Sequence, residues 1–584
     1  MTHLRIFTLT LATLLMLAAC GKSDEQVSAV PDNGGNDLLA FVPADTPYVA
    51  ANLEPIPEDV LDSYLAKAQP VLESMQEQLS QARARIESAG NPGNADPAEK
   101  LAHALMSELD GKLNRAGMES MGFDLRANQV IYGVGAFPVV RLGLSDSAAL
   151  RATVLRVLEQ ADVTAPEQEY QGVSYWKVSD DDTGEVPVGF YISILEDHVA
   201  IGVLPLVAET ELLPAFLGLQ MPAGNDAHAR LAELNKIHDY TPYGSGILNT
   251  HDLIDALVQP DSLAGRAMAS SAHVSGEPLT PECISEIHGM ADNAPRMTLG
   301  VQDLTEHTVA MQYRVEAPES LSGQLMSLVS EIPMVDALSD KVVEFAFGLK
   351  FGPVRDFLIE KATAISNNPY QCEHLAEFNL KATEVLTQLN QPMPPFLNNF
   401  RGIRVSVTEF IAGRQSLQEN ARGQLALHVE QPQMLVGMAQ MMVPDLSELA
   451  ITPGDPPVRL PENMVPTPGV TAYAAMSSDA IGIALGEGEE ESLPGFLEEE
   501  KGPEGMFMSA SYDMGAYLDY KELFSDQVTT AYNVPEAERS AHDEKAGEIQ
   551  EAAAKAFRDI AERNTSTLSF TPKGLVIDNR VSFK

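Results

Sequence analysis

Residues 186–203, "VPVGFYISILEDHVAIGV", alternate apolar and polar positions up to Leu195, turn at Glu196-Asp197, and resume at Val199, Ile201 and Val203. That period of two predicts a β-hairpin, and the stretch 206–218 after it reads as a helix. Residues 470–485, "VTAYAAMSSDAIGIAL", repeat the pattern, with Asp479 in the place of Asp197 and Ile483 in the place of Ile201. Both hairpins lead into the same short string, Leu213-Pro214-Ala215-Phe216-Leu217 and Leu493-Pro494-Gly495-Phe496-Leu497. A proline in the first helical turn forfeits no hydrogen bond, so each string predicts a helix start with Phe and Leu facing a sheet.

The correspondence extends outward in order. "PVVRLGLSDSAALRATVLRVL" (138–158) and "GQLALHVEQPQMLVGMAQMMV" (423–443) each read as a strand followed by an amphipathic helix, with Leu142, Leu144 and Leu150 matching Leu427, Val429 and Leu435. The strands "QVIYGVGAF" (129–137) and "IRVSVTEFI" (403–411) precede them. Earlier still, "PYVAANLEPIPEDVLDSYL" (47–65) pairs with "VEFAFGLKFGPVRDFLIEK" (343–361), setting Val49 against Phe345 and Pro57 against Pro353. Downstream, 243–257 answers 504–518, and 297–317 answers 566–584. The pattern therefore predicts a tandem duplication, each copy with about eight strands in hairpin-like succession. Strand runs interspersed with helices imply an α+β class: a mostly antiparallel sheet covered by helices. The expected domains are 39–317 and 341–584, joined by a connecting segment at 318–340 that looks helical.

Two helices of the first copy are well marked. Leu61, Leu65, Ala68, Leu72, Met75 and Leu79 step at three or four residues, and "DPAE" places Asp96 as N-cap with Pro97 in the first turn. In the second copy Met434, Met438, Met441 and Met442 fall on one helical stripe, which reads as core; the other use of such a stripe is an adaptable apolar groove.

The N-terminus carries a different signal. "MTHLRIFTLTLATLLMLAAC" has a weakly basic start and an apolar run from Ile6 to Leu17, shorter than the ~20 residues of a spanning helix, and reads as a signal peptide over residues 1–19. Leu17-Ala18-Ala19-Cys20, followed by Gly21, resembles the lipobox of bacterial lipoproteins. The resemblance implies cleavage before Cys20, lipid on its sulfur and acylation of its new amino group. Several acyl chains together give a lasting anchor. With Gly21-Lys22 rather than Asp after the cysteine, it implies the outer membrane, on the periplasmic side. Residues 20–38 read as the lipidated cysteine and a flexible tether able to reach about 60 Å. The stretches 41–55, 122–137 and 170–178 also resemble segments of secreted or lipid-anchored bacterial proteins grouped as a domain of unknown function, which implies no activity and no catalytic residues.

A formal net charge of −45 disfavours contact with nucleic-acid phosphates or anionic lipid surfaces, while leaving a basic peptide or cationic ligand open as a partner. Once Cys20 is lipidated, Cys283 and Cys372 remain; in an oxidising compartment they suggest one disulfide, worth ~4–5 kcal/mol in a chain-entropy account. Free thiols, or a zinc site with the nearby His288 and His374, are the alternatives, although this spacing is not that of a finger. No catalytic motif emerges: "YGVGAFP" lacks a third glycine, "SDDDTGE" (179–185) lacks the spacing of a calcium loop, and His238-Asp239 and His251-Asp252 read as surface residues or caps. Tyr512-Asp513 stands opposite the second of these pairs in the repeat. The sequence thus points to no catalytic residues, metal or cofactor. It points instead to a lipid-anchored envelope protein that binds an envelope partner or an apolar ligand, or has a structural role. A carrier of a lipid-like molecule and an envelope hydrolase are the alternatives.

Overall fold

The computed structural model describes residues 35–89, 97–163, 166–179, 188–270, 279–335, 341–392, 395–410, 421–443, 446, 449–465, 470–516, 558 and 560–584. The lipidation site expected at Cys20, most of the expected tether, Asp96 and residues 180–185 lie outside them. Packing divides the chain into two compact units, the first built mainly from residues up to 311 and the second mainly from 312 onward.

The first unit contains strands β1 (Tyr48–Ala51), β2 (Gln129–Val134), β3 (Phe137–Gly143), β4 (Gln168–Tyr170), β5 (Val173–Ser179), β6 (Val188–Ile194), β7 (His198–Pro205), β8 (Ser245–Asn249) and β9 (Arg296–Thr305), and β10 (Thr308–Glu316) begins in it and passes into the second at Gln312. Its helices are α1 (Glu58–Ala89), α2 (Pro97–Leu109), α3 (Arg115–Ser120), α4 (Ser147–Ala161), α5 (Glu209–Phe216), α6 (Ala227–His238), α7 (Thr250–Val258), α8 (Leu263–Ser270) and α9 (Pro281–Ala291). The second unit follows with β11 (Val343–Phe347), β12 (Phe400–Phe410), β13 (Ala421–Val429), β14 (Val458–Arg459), β15 (Ala472–Met476), β16 (Ala480–Leu485), β17 (Met506–Asp513), β18 (Ala561–Thr571) and β19 (Gly574–Phe583). Its helices are α10 (Glu319–Leu328), α11 (Phe351–Asn367), α12 (Ala376–Leu389), α13 (Pro432–Met442) and α14 (Leu493–Leu497).

Hydrogen bonding orders the strands of the first unit β5-β6-β7-β3-β2-β1-β8-β9-β10 and those of the second β14-β15-β16-β13-β12-β11-β17-β18-β19. Strand for strand the two orders are the same, and the registered pairs are antiparallel. The duplicated α+β architecture is therefore a property of the fold. Leu142 and Leu427 occupy matching register positions, since Leu142 faces Val199 and Leu427 faces Ile481. The hairpin ends match too: Leu144 N–H donates to Asp197 C=O and Val429 N–H to Asp479 C=O, each at 2.9 Å.

Two expected matches are slipped, that of β1 with β11 by one residue and that of β8 with β17 by three, since Ile247 answers Ser511 rather than Met508. Val49 faces Tyr132 and Ile247, while the equivalent place in the second unit, between Ser406 and Ser511, belongs to Glu344 rather than Phe345. Because strand side chains alternate, a one-residue slip exchanges the two faces. Val49 and Glu344 are buried, whereas Phe345 points to the opposite face.

The helices of the shared Leu-Pro-x-Phe-Leu string press on the sheets. Leu213, Phe216 and Leu217 are buried in one copy and Leu493, Phe496 and Leu497 in the other. Pro494 lies in the first turn of α14 as expected, but α5 starts earlier, at Glu209, so Pro214 is interior. Glu209 and Glu211 favour that earlier start at the positive end of the helix. The approach is close: a β-carbon on Gly202 would stand 2.9 Å from the Phe216 ring, and one on Gly482 2.7 Å from Leu497. Across the sheet from α5, α4 buries Leu150 against Leu142 and Val199, and α2 packs on α4 through Ala104, Val157 and Ala161. Among the described residues no helix is long and apolar enough to cross a membrane.

Candidate functional site

Each unit buries an arginine beneath its Leu-Pro-x-Phe-Leu helix. Arg141 on β3 is fully buried. Its Nη2 donates to Phe216 C=O at 2.8 Å and Nε to Tyr132 Oη at 3.1 Å, and its guanidinium lies 3.9 Å from the centre of the Phe41 ring. Nη1 meets His198 Nε2 at 2.8 Å. A guanidinium can only donate, so that nitrogen accepts, the ring proton sits on Nδ1, and Nδ1 donates to Asp197 Oδ1 at 2.7 Å. That bond is the first reason the Asp197 carboxyl is held below its ordinary range.

In the second unit Arg404 on β12 donates to Phe496 C=O at 3.2 Å, packs 4.3 Å from the Phe496 ring centre, and pairs with Glu499 at 2.6 Å and Glu344 at 3.5 Å. Both cations thus meet the carbonyl end of the same helix, where the helix dipole is negative. They are not equivalent residues. Val130 faces Arg141 across β2 and β3, and Arg404 faces Ala426 across the matching strands, so arginine and small residue have exchanged strands. The histidines do the same: Gly143 faces His198 in one unit and His428 faces Ala480 in the other. The constellation is kept in space and lost in alignment. In the second unit it is looser. His428 is buried, its Nε2 has no hydrogen-bond partner, and burial first, then Arg404 and Lys501, push its pKa down to about 4 against the pull of Asp479.

The covered sheet faces have diverged. Val49, Tyr132, Val139 and Ile247 form part of the large apolar core of the first unit. Glu344, Ser406, Gln424 and Ser511 stand at the same register positions in the second, all buried. Gln424 donates to Glu489 C=O at 2.9 Å, and Ser511 Oγ accepts from Arg563 at 2.9 Å, so much of this polar interior is internally satisfied. Such a layer orders the unit rather than leaving polar groups poised for chemistry.

The methionine stripe corrects the expectation of a core. Met441 and Met442 are 81% and 80% exposed. Val157 of α4, at the position of Met442, is 8% exposed because α2 lies on it. The physical reason is the covering element and not the helix itself, although α13 is also shorter: α4 runs on to Ala161, while α13 stops at Met442, before Val443 and the Pro444 that disfavours helical backbone at the residue preceding it.

Of the two His-Asp pairs read as surface residues or caps, Asp239 is the left-handed C-cap of α6, and His251 and Asp252 lie in the first turn of α7. Tyr512 and Asp513 end a strand, whereas His251 and Asp252 lie on α7, so they are not counterparts. His251 instead meets His288 of α9, Nδ1 to Nδ1 at 2.8 Å, with ring planes 6° apart. His288 Nε2 meets Asp255 Oδ1 at 3.0 Å. Hydrogen bonds from Gln259 and then His288 hold the Asp255 carboxyl below its ordinary range. The result is a hydrogen-bonded row in which the central imidazole uses both nitrogens. Helical spacing relates His251 to Asp255, but nothing local announces His288. Among the described residues no group of three or more His, Cys, Asp or Glu is placed to hold a metal. Cys283 and Cys372 are buried and disulfide-bonded.

Compared with protein-family models, with curated proteins and with solved structures, the chain matches none.

Proposed function

We propose that the protein is a lipid-anchored module of the periplasmic envelope that acts by binding rather than by catalysis, tethered to the outer membrane through Cys20, with the second unit as its binding unit. The observation that carries the reading is the 80% exposure of Met442 where the duplicated helix buries Val157. Exposed methionines are costly to leave in water and adapt readily to a partner surface. The first unit, with its large apolar core, is the closed scaffold of the pair. A second reading, a carrier of a lipid-like ligand, draws on Leu425, which is 36% exposed on β13 and points away from the buried Ala426 face.

The test places a photo-reactive side chain at Met442 and, separately, at Leu155, which is 45% exposed on α4. Illumination of intact cells is expected to yield a discrete protein adduct from position 442 and none from 155. Equal labelling from both positions, or none from either, overturns the binding unit. Cys20→Ser is expected to move the protein from the membrane to the soluble periplasmic fraction; unchanged membrane retention overturns the anchor.

A further inference from the structure

The duplication supplies an internal reference for what belongs on each surface. In the first unit the outer side of α4 is the seat of another helix: Ala104 of α2 is 2% exposed and lies with Val157 and Ala161, flanked by Leu101 and Leu105. In the second unit α13 follows β13 as α4 follows β3, and among the described residues no helix is seated on its corresponding side. Met441 and Met442 are exposed there, with Val443 38% and Met434 36% exposed. The helix α12, which follows α11 as α2 follows α1, packs on α11 and leaves Leu380 72% exposed.

We infer that the outer side of α13 is a docking site for an amphipathic helix of a partner protein, seated as α2 is seated on α4 and carrying lysine or arginine on its far side. The helical form of the occupant follows from the first unit, where a helix covers the equivalent position. Methionine suits a seat filled from outside, because its unbranched thioether repacks around an incoming side chain at little strain. The charge of the occupant follows from complementarity: the chain has 83 Asp and Glu against 38 Lys and Arg, so a basic helix is attracted and an acidic one repelled. The inference rests on the second unit being the binding unit and adds the class of partner.

The probe is a fluorescent synthetic peptide with the α2 sequence, residues 97–109, carrying Glu99→Lys and Met106→Lys, which the helical period sets opposite Ala104, and Glu108→Gln, since Glu108 faces Arg156 of α4. Binding to the full chain is followed by anisotropy. Saturable binding is expected, at least tenfold weaker to the double variant Met441→Gln with Met442→Gln and unchanged by Ile237→Gln, a control at an exposed residue of the first unit. Thermal unfolding of the double variant should match the wild type, since both side chains lie in solvent. Equal binding to wild type and double variant overturns the site, and equal binding of a scrambled peptide of the same charge overturns the helix as its occupant. A fluorescent fatty acid that binds where the peptide does not, and is lost in the double variant, assigns the face to an acyl chain and also overturns the inference. Cross-linking from position 442 without peptide binding removes the helix and keeps the binding unit; absence of both removes both.

Discussion

At the residue scale, the reciprocal arginines show what a sheet conserves. Neighbouring strands set facing β-carbons about 5 Å apart, and an arginine side chain is long enough to reach one helix end from either. What must persist is a guanidinium under the carbonyls of Phe216 or Phe496, not an arginine at a fixed position in the chain. Removing one partner from such a buried set costs about 3–5 kcal/mol, because the remaining polar groups are stranded. His428 adds a pH dependence whose sign is determined. Its folded pKa of about 4 lies below the ordinary value of 6.5, so in that window the unfolded chain binds a proton that the folded chain refuses. Stability is therefore lost as pH falls from 6.5 towards 4, by about 3 kcal/mol at ~1.4 kcal/mol per unit. Urea titrations at pH 7 and pH 4.5 should show His428→Gln losing less stability than wild type over that interval; parallel losses would remove His428 as the cause.

At the scale of elements, the close seating of α14 on β16 leads to a direct expectation. Gly482→Val places branched methyls where Leu493 and Leu497 already stand within 3 Å of a β-carbon. Overpacking of this kind costs about 1–3 kcal/mol, read as a lowered urea midpoint with an unchanged slope. A midpoint equal to wild type would mean the helix lifts without penalty. The hairpins, the strand before each amphipathic helix and the Leu-Pro-x-Phe-Leu helices were legible because each rests on local periodicity and turn chemistry. The slip between β1 and β11 was not. The two strands share apolar composition, and only their neighbours reveal that Glu344, not Phe345, turns inward with Ala346. The methionine stripe was misread for a related reason: periodicity identifies an apolar face but not whether another element comes to cover it.

At the scale of the molecule, two units of one topology have taken different interiors, an apolar core in the first and a polar layer around Arg404 in the second. Cys283 and Cys372 should both resist alkylation in natively oxidised protein until a reductant is added; labelling of both beforehand would remove the disulfide. Sequence by itself determined the α+β class and the repeated order of strands and helices, since these depend on residues close together along the chain. Tertiary structure alone decided which residues share a site. Arg141 with His198, His251 with His288, and Met442 in the place of buried Val157 are relations between segments far apart in sequence, set by strand register and by which helix covers which face. A burial pattern can be inferred from one strand or helix, but a cross-strand exchange or an exposed helix face exists only once the neighbouring elements are in place.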